Sequence, residues 1–502
     1  MRTVPGSVDR VVVVGAGLAG LSAALHLCGR GCAVTVVERA QHPGGRVGRL
    51  DIDGYRLDTG PTVLTMPDII DDAFGAVGES LSDRLHLIAL DPAYHASFAD
   101  GSTLRVHSDR DAMSAEIERF AGRGEADGYL RLRTWLTRLY RTEFDGFIAA
   151  NFDSPASLLS PQLARVAAIG GFRRWETMVG RFITDERLRR VFTFQALYAG
   201  VPPQRALAAY AVIAYMDTVS GVFFPRGGMR ALPDALAAAA ADAGVEFRYG
   251  ADVSALERTG AKVTAVRTAD GDRIPADAVV LTTELPHTYT LLGRTPRRLL
   301  PLRPSPSAVV AHVGCRAVDA EIGHHTILFG DAWQQTFSDI IDHGRVMADP
   351  SLLVTRPTVG DPTLAPAGRD LLYILAPAPN TAVGQVDWES AGPAYVEKML
   401  TAVTDRLPAL GGDAEVLHVV DPAGWARQGM AAGTPFALAH TFGQTGPFRP
   451  ANTVRGIENA VLAGSSTVPG VGVPTALLSG RLAADRVTGV SARRRPLKVV
   501  PS

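Results

Sequence analysis

The stretch Val11-Val12-Val13-Val14-Gly15-Ala16-Gly17-Leu18-Ala19-Gly20 decides the fold, together with Glu38, which stands 18 residues beyond Gly20. Four consecutive valines suit a strand buried on both faces. Gly15 permits a tight turn, and Gly17 lets the backbone approach a ligand because no Cβ stands in the way. Gly20 lets the helix that opens at Leu18 pack close to the strand. That helix carries Leu18, Leu21, Ala24 and Leu25, and its free N-terminal N–H groups attract an anion. A second strand, Ala33–Val37, ends at Glu38, where a carboxylate can accept hydrogen bonds from ribose hydroxyls. The unit predicts a dinucleotide held by its pyrophosphate, with Gly15, Gly17, Leu18, Ala19, Gly20, Glu38 and the adjoining Arg39 at the binding surface.

The acid at position 38 disfavours a 2′-phosphate, which argues against NADP and leaves NAD and FAD. His42-Pro43-Gly44-Gly45-Arg46 is a second glycine turn carrying a cation. It falls where a pyrophosphate and ribityl chain would run. Gly45 and Arg46 therefore join the candidate site, and FAD is the favoured cofactor.

At 502 residues the chain is too long for one simple core and predicts two or three domains. A hydrophobic content of 46% with 20% charged residues predicts a folded globular protein. The net charge of −1 gives no global basic field for nucleic acid. Three cysteines make no disulfide framework, and no His/Cys set has metal-site spacing, so no metal is expected. Cys28 and Cys32 read as packing residues, with Gly29 and Gly31 ending a helix between them. No signal peptide and no apolar run of membrane-spanning length is read. Ala206–Met216 is the best candidate for such a run and predicts a core helix. The expected location is cytoplasmic, with peripheral contact to a membrane.

Further along, Gly54–Pro61 reads as a strand entering a glycine turn, and Pro67–Val77 as a helix. Residues 109–215 are mainly helical, with apolar spacing near 3.6 in Ala112–Phe120, Gly128–Phe144 and Pro161–Arg190. A helix is expected over Ala231–Ala243, then short strands at Glu246–Tyr249, Asp252–Arg258, Val263–Thr268 and Ala278–Thr283. Val309–Cys315 and Leu371–Leu375 are further strands, and Tyr395–Leu407 is an amphipathic helix. Near the end, Ala460–Gly464 is a strand entering a turn, Ser465–Val473 a Gly/Pro loop and Thr475–Val487 a helix. Nucleotide elements thus sit at the start, middle and end. The expected fold is α/β, with a discontinuous Rossmann-like FAD/NAD(P)-binding domain (1–105, 222–300 and 450–502). An inserted α+β substrate domain, 106–221 and 301–449, faces the membrane.

With these motifs the chain resembles the bacterial and fungal type of phytoene desaturase, FAD-dependent carotenoid desaturases of the amine-oxidase-like flavoprotein superfamily. The resemblance rests on Val11–Gly20 with Glu38, Gly44–Arg46, Leu57–Pro61, Phe194–Gly200, Phe224–Met229, His440–Pro450 and Ala463–Pro474. It implies that Gly464 and Ser465 lie at the pyrophosphate or ribityl, and Val471, Gly472 and Val473 at the isoalloxazine. Gly60, Pro61 and Thr62 join them, and Val253 takes the position whose backbone meets the adenine. The superfamily often has an acid where this chain has Ser465.

The implied reaction takes phytoene, a C40 carotenoid, toward neurosporene or lycopene. A hydride passes to flavin N5 and an adjacent proton is lost, with oxygen or a quinone as electron acceptor. Loss of hydride beside a double bond leaves an allylic cation whose neighbouring proton is acidic, so no strong base is required. No motif declares one; His440 and Gln444 are the nearest polar candidates, each with a structural alternative. A lipophilic hydrocarbon demands a long apolar tunnel, for which Phe192, Phe194, Tyr198, Tyr210, Tyr215, Phe223 and Phe224 are candidate linings. The basic, apolar stretch Leu158–Arg190 suits a membrane surface. Neighbouring readings on the same fold are a carotenoid isomerase or saturase, or a non-enzymatic isoprenoid-binding protein like the Rab GDP-dissociation inhibitors.

Overall fold

The computed structural model describes residues 1–154, 157, 160–298, 300–318, 322–410 and 413–490. The Arg493–Arg495 run and the first two residues of Leu158–Arg190 lie outside these residues. The four valines form the centre of a five-stranded parallel sheet. Its strand order is Ala460–Leu462, Ala278–Leu281, Arg10–Val14, Ala33–Glu38 and Glu246–Tyr249. Because side chains alternate along a strand, Val11 and Val13 enter one core and Val12 and Val14 another. The first core also holds the first helix, Leu18–Cys28, and the last, Val473–Thr488. The second is closed by a three-stranded antiparallel sheet that begins at Val253.

The first and last helices touch backbone to backbone. A Cβ on Gly480 would overlap the Ala19 carbonyl oxygen and crowd the Ala23 nitrogen. Ser22 Oγ donates to the Leu477 carbonyl at 2.7 Å. This contact, made by residues more than 450 positions apart in sequence, brings the two helix N-termini together. Glycine is also required at Gly20, where a Cβ would overlap the Gly15 carbonyl oxygen.

The helical layer contains Arg110–Ala121 and Arg123–Glu143 as expected. Pro161–Arg190 is not one helix. It divides into Pro161–Ala168, Trp175–Val179 and Glu186–Val191. Gly170, at φ +88°, breaks the first join. Asp185 caps the third piece by accepting from Arg187 N and Leu188 N. Trp175 is fully buried, and Arg187 and Arg190 pair with Asp185 and Glu186, so the stretch is no continuous amphipathic face.

A seven-stranded sheet forms the remaining layer, ordered Glu415–Val420, Ser307–Arg316, Arg369–Ala378, Leu352–Thr355, His325–Leu328, Tyr94–Ser97 and Thr103–Val106. The expected strands at Val309 and Leu371 are the middles of two ten-residue strands paired along their length. Tyr94–Ser97 and Thr103–Val106 were not foreseen as strands. Tyr94–Ser97 lies before residue 105 and Thr103–Val106 straddles it, yet both pair into this sheet through His325–Leu328.

Two of the quoted motifs prove to be one structural unit. The Asp58 carboxylate accepts from Met229 N at 2.8 Å and Arg230 N at 3.2 Å, fastening the Phe224–Met229 turn at the start of helix Ala231–Asp242. Burial pushes Asp58 up to about 6, against the pull of those N–H donors.

Candidate functional site

Both glycine-led helices open onto one cavity of about 980 Å³. Neither has a side-chain cap at its N-cap residue, Gly17 or Gly472. Their N–H groups and positive dipole ends are thus available to electron-rich groups of a ligand. Every residue expected at the cofactor lines this cavity except Gly20, which lies behind the turn against Gly15. Strand Ala460–Leu462 delivers Gly464 to the wall, while Arg449, almost wholly buried, holds the loop that follows. Its guanidinium donates to the carbonyls of Ser465 (2.6 Å) and Thr467 (2.8 Å). Burial lowers Arg449 to about 10.

The residues present fit a dinucleotide. Arg46 lines the cavity, pairs with Glu284 through one guanidinium nitrogen, and keeps its buried Nε without a partner. An oriented, unsatisfied cationic donor suits a phosphate or a flavin carbonyl. A Cβ on Gly17 would meet nothing closer than Gly45 Cα at 3.9 Å, so glycine there keeps open space over the helix end. Glu38 has a structural task that the sequence did not suggest. Its carboxylate accepts from Ala16 N at 2.7 Å and Ala40 N at 2.8 Å, which fastens the glycine turn to the second strand.

Away from these groups the wall is apolar. Phe147, Ile148, Phe152, Val212, Ile213 and Met216 come from the helical layer. The large sheet adds Val310, Leu353, Tyr373 and Leu375. Of the seven aromatic residues expected there, Tyr198 and Tyr210 line the cavity and the others do not. Phe192 and Phe224 are fully buried, Phe192 against Tyr129 and Phe224 against His324. Tyr215 stacks on Tyr140 at 4.4 Å.

His440 lines the cavity, but its Nδ1 lies 3.1 Å from Tyr210 Oη and 3.4 Å from Arg449 Nη1. Burial and the neighbouring Arg449 charge hold it well below the ordinary histidine range. A neutral imidazole beside a cation is a poor proton acceptor. Gln444 does not line the cavity. Its Oε1 accepts from Arg303 N at 2.6 Å, and its Nε2 donates to the carbonyls of Ala439 and Arg303. The acidic residue that lines the apolar wall is Asp217, 3% exposed. It follows the apolar run Ala206–Met216 and reads there as the polar edge of a helix. Only the fold covers it with Tyr94.

Residues 18–488 match the family described as flavin containing amine oxidoreductase. The chain belongs to this family. Within it, the chain is 62% identical over 499 residues to a phytoene dehydrogenase of Streptomyces griseus, covering 99% of this chain and 98% of that one. It is 38% identical to a zeta-carotene-forming phytoene desaturase of Myxococcus xanthus, covering 95% and 93%. Among solved structures, an oxidoreductase from Methanosarcina mazei superposes with a TM-score of 0.61 at 16% identity, covering 94% and 98%. That likeness carries the fold alone. Membership of this flavin containing family makes FAD the cofactor of the protein.

Proposed function

We propose that the protein is an FAD-dependent phytoene desaturase of carotenoid biosynthesis, taking phytoene toward neurosporene or lycopene with oxygen or a quinone as electron acceptor. The observation that carries this reading is the near-full-length 62% identity to a phytoene dehydrogenase. A nucleotide-binding wall and an apolar wall sharing one cavity support it. Gly15, Gly17, Glu38, Arg46, Gly464 and Gly472 would hold the cofactor. Bound FAD supplies the hydride acceptor. The chain's own contribution is positioning and the exclusion of water. Phe147, Ile213, Met216, Leu353 and Leu375 can grip a hydrocarbon only by shape, so chain length and curvature set selectivity.

A membrane supplies such a substrate, and the reading includes peripheral docking. No helix among the described residues is long and apolar enough to cross a bilayer. Leu300 is 67% exposed and Phe442 61% exposed. Phe442 packs near Phe448 at 5.7 Å, and the exposed Arg298 donates to the Phe448 carbonyl. Between these phenylalanines, Gly446 lines the cavity beside Phe147. Apolar side chains with a cation at a cavity edge suit an anionic lipid surface. Incubating the yellow, FAD-loaded protein with phytoene in liposomes and resolving the products tests the function. New conjugated double bonds are expected, and an unchanged phytoene pool with oxygen and with quinone present would refute it.

A further inference from the structure

Among the described residues, the helical layer and the large sheet put one acidic residue on the wall of the cavity: Asp217. A hydrocarbon has nothing to hydrogen-bond, so this carboxyl contributes no binding to it. Burying a carboxyl in an apolar wall opposes folding unless the group is fully satisfied. Asp217 is only partly satisfied. Tyr94 Oη donates to Oδ2 at a long 3.2 Å, and the Gln195 amide is its other partner. Tyr198, which lines the same wall, bonds the Tyr94 hydroxyl. The His325 ring lies 5.6 Å behind Tyr94 and is held neutral by burial. Arg133 donates to the Thr218 carbonyl, the Ser108 carbonyl and Tyr129.

We propose that Asp217 is the proton acceptor of the desaturation, an inference that rests on the desaturase reading above. The substrate loses one hydrogen with its electron pair to the oxidised flavin, leaving an allylic cation. The Asp217 carboxylate takes a proton from the adjacent carbon. The electrons of that C–H bond become the new C=C bond, and Asp217 becomes a carboxylic acid. Deprotonation by water through the cavity mouth regenerates it. Burial, only partly offset by Tyr94 and Gln195, raises Asp217 to about 7, a better match to a proton-transfer task near neutrality than an ordinary carboxylate.

The test compares wild type with Asp217→Asn and Asp217→Glu by single-turnover flavin bleaching with phytoene between pH 5.5 and 8.5. Bound FAD is checked by absorbance, and the protonated-carboxyl infrared band is followed across the same range without substrate. The wild-type rate should rise through pH 7 and level off, and an infrared band should vanish over that interval. Asp217→Asn should lose about a hundredfold or more in rate, as removal of a general base does. It should keep its FAD and lack the titrating band, while Asp217→Glu recovers part of the rate. An Asn variant with the wild-type rate, or a flat wild-type pH profile, overturns the assignment alone. A wild type that leaves phytoene unchanged overturns the desaturase reading and this assignment with it.

Discussion

Asp217→Asn should make the protein more stable. The folded carboxyl lies at about 7 against an ordinary 3.8, a rise of about 3 pH units. Each unit is about 1.4 kcal/mol of preference for the protonated form. The sign follows from proton counting. Between pH 3.8 and 7 the folded state keeps the proton that the unfolded state releases, so rising pH drains stability. At pH 8 the ionised Asp217 therefore costs on the order of 4 kcal/mol. At pH 5 the cost is about 2 kcal/mol, and below pH 4 it vanishes. Asparagine keeps the shape and an acceptor for Tyr94 without the charge. At about 2 cal/mol/K of unfolding entropy per residue, a chain of this length gains about 1 °C of Tm per kcal/mol. Thermal unfolding of the apo forms should then show Asp217→Asn about 4 °C above wild type at pH 8 and about 2 °C above at pH 5. A Tm equal to or below wild type at pH 8 would refute the reasoning, because it would mean that Asp217 is satisfied where it sits.

Gly480→Val should lower Tm by about 1–3 °C and weaken FAD binding, since its side chain meets the Ala19 carbonyl and Ala23 nitrogen of the first helix and overpacking costs about 1–3 kcal/mol; melting curves and equilibrium dialysis of the flavin check it. The double variant Phe442→Ser with Leu300→Ser should bind anionic liposomes at least about tenfold more weakly, given roughly 1.5–3 kcal/mol for each large apolar side chain withdrawn from lipid, with unchanged FAD content; sedimentation with vesicles reads it. Burial holds His26 and His324 at about 3 and His312 at about 4, with His325 and His440 also well below 6.5. The unfolded chain binds protons there first, and these five outnumber the buried acids Asp58, Glu143 and Asp217, whose raised values act the other way. Tm should therefore fall as pH drops from about 6.5 toward 4, which a pH series of melting curves measures.

What was legible was what is local. Gly15, Gly17 and Gly20 each do a job that a short stretch of backbone defines, and Gly464–Pro474 opens the last helix in the same way. The division of Pro161–Arg190 was also written locally, in Gly170-Gly171 and in Asp185, but the apolar spacing masked those breaks. The apolar wall was not legible for a different reason. Which face of Leu352–Thr355 or Arg369–Ala378 meets the cavity depends on the strands beside it. Tyr198 and Tyr210 reach the wall while Phe192, Phe224 and Tyr215 pack into the core, a choice made by partners such as Tyr129, His324 and Tyr140. Asp217 was hidden in the same way, because Tyr94, 123 residues away, is what turns an acid at a helix edge into a buried carboxyl.

The most direct test mixes the purified, FAD-loaded protein with phytoene in liposomes without oxygen or quinone and follows the flavin absorbance. The account predicts bleaching of the oxidised flavin with one new double bond per flavin reduced, and renewed turnover when an acceptor is admitted. A protein that carries FAD but stays fully oxidised in the presence of phytoene, or that takes up no FAD at all, would contradict it.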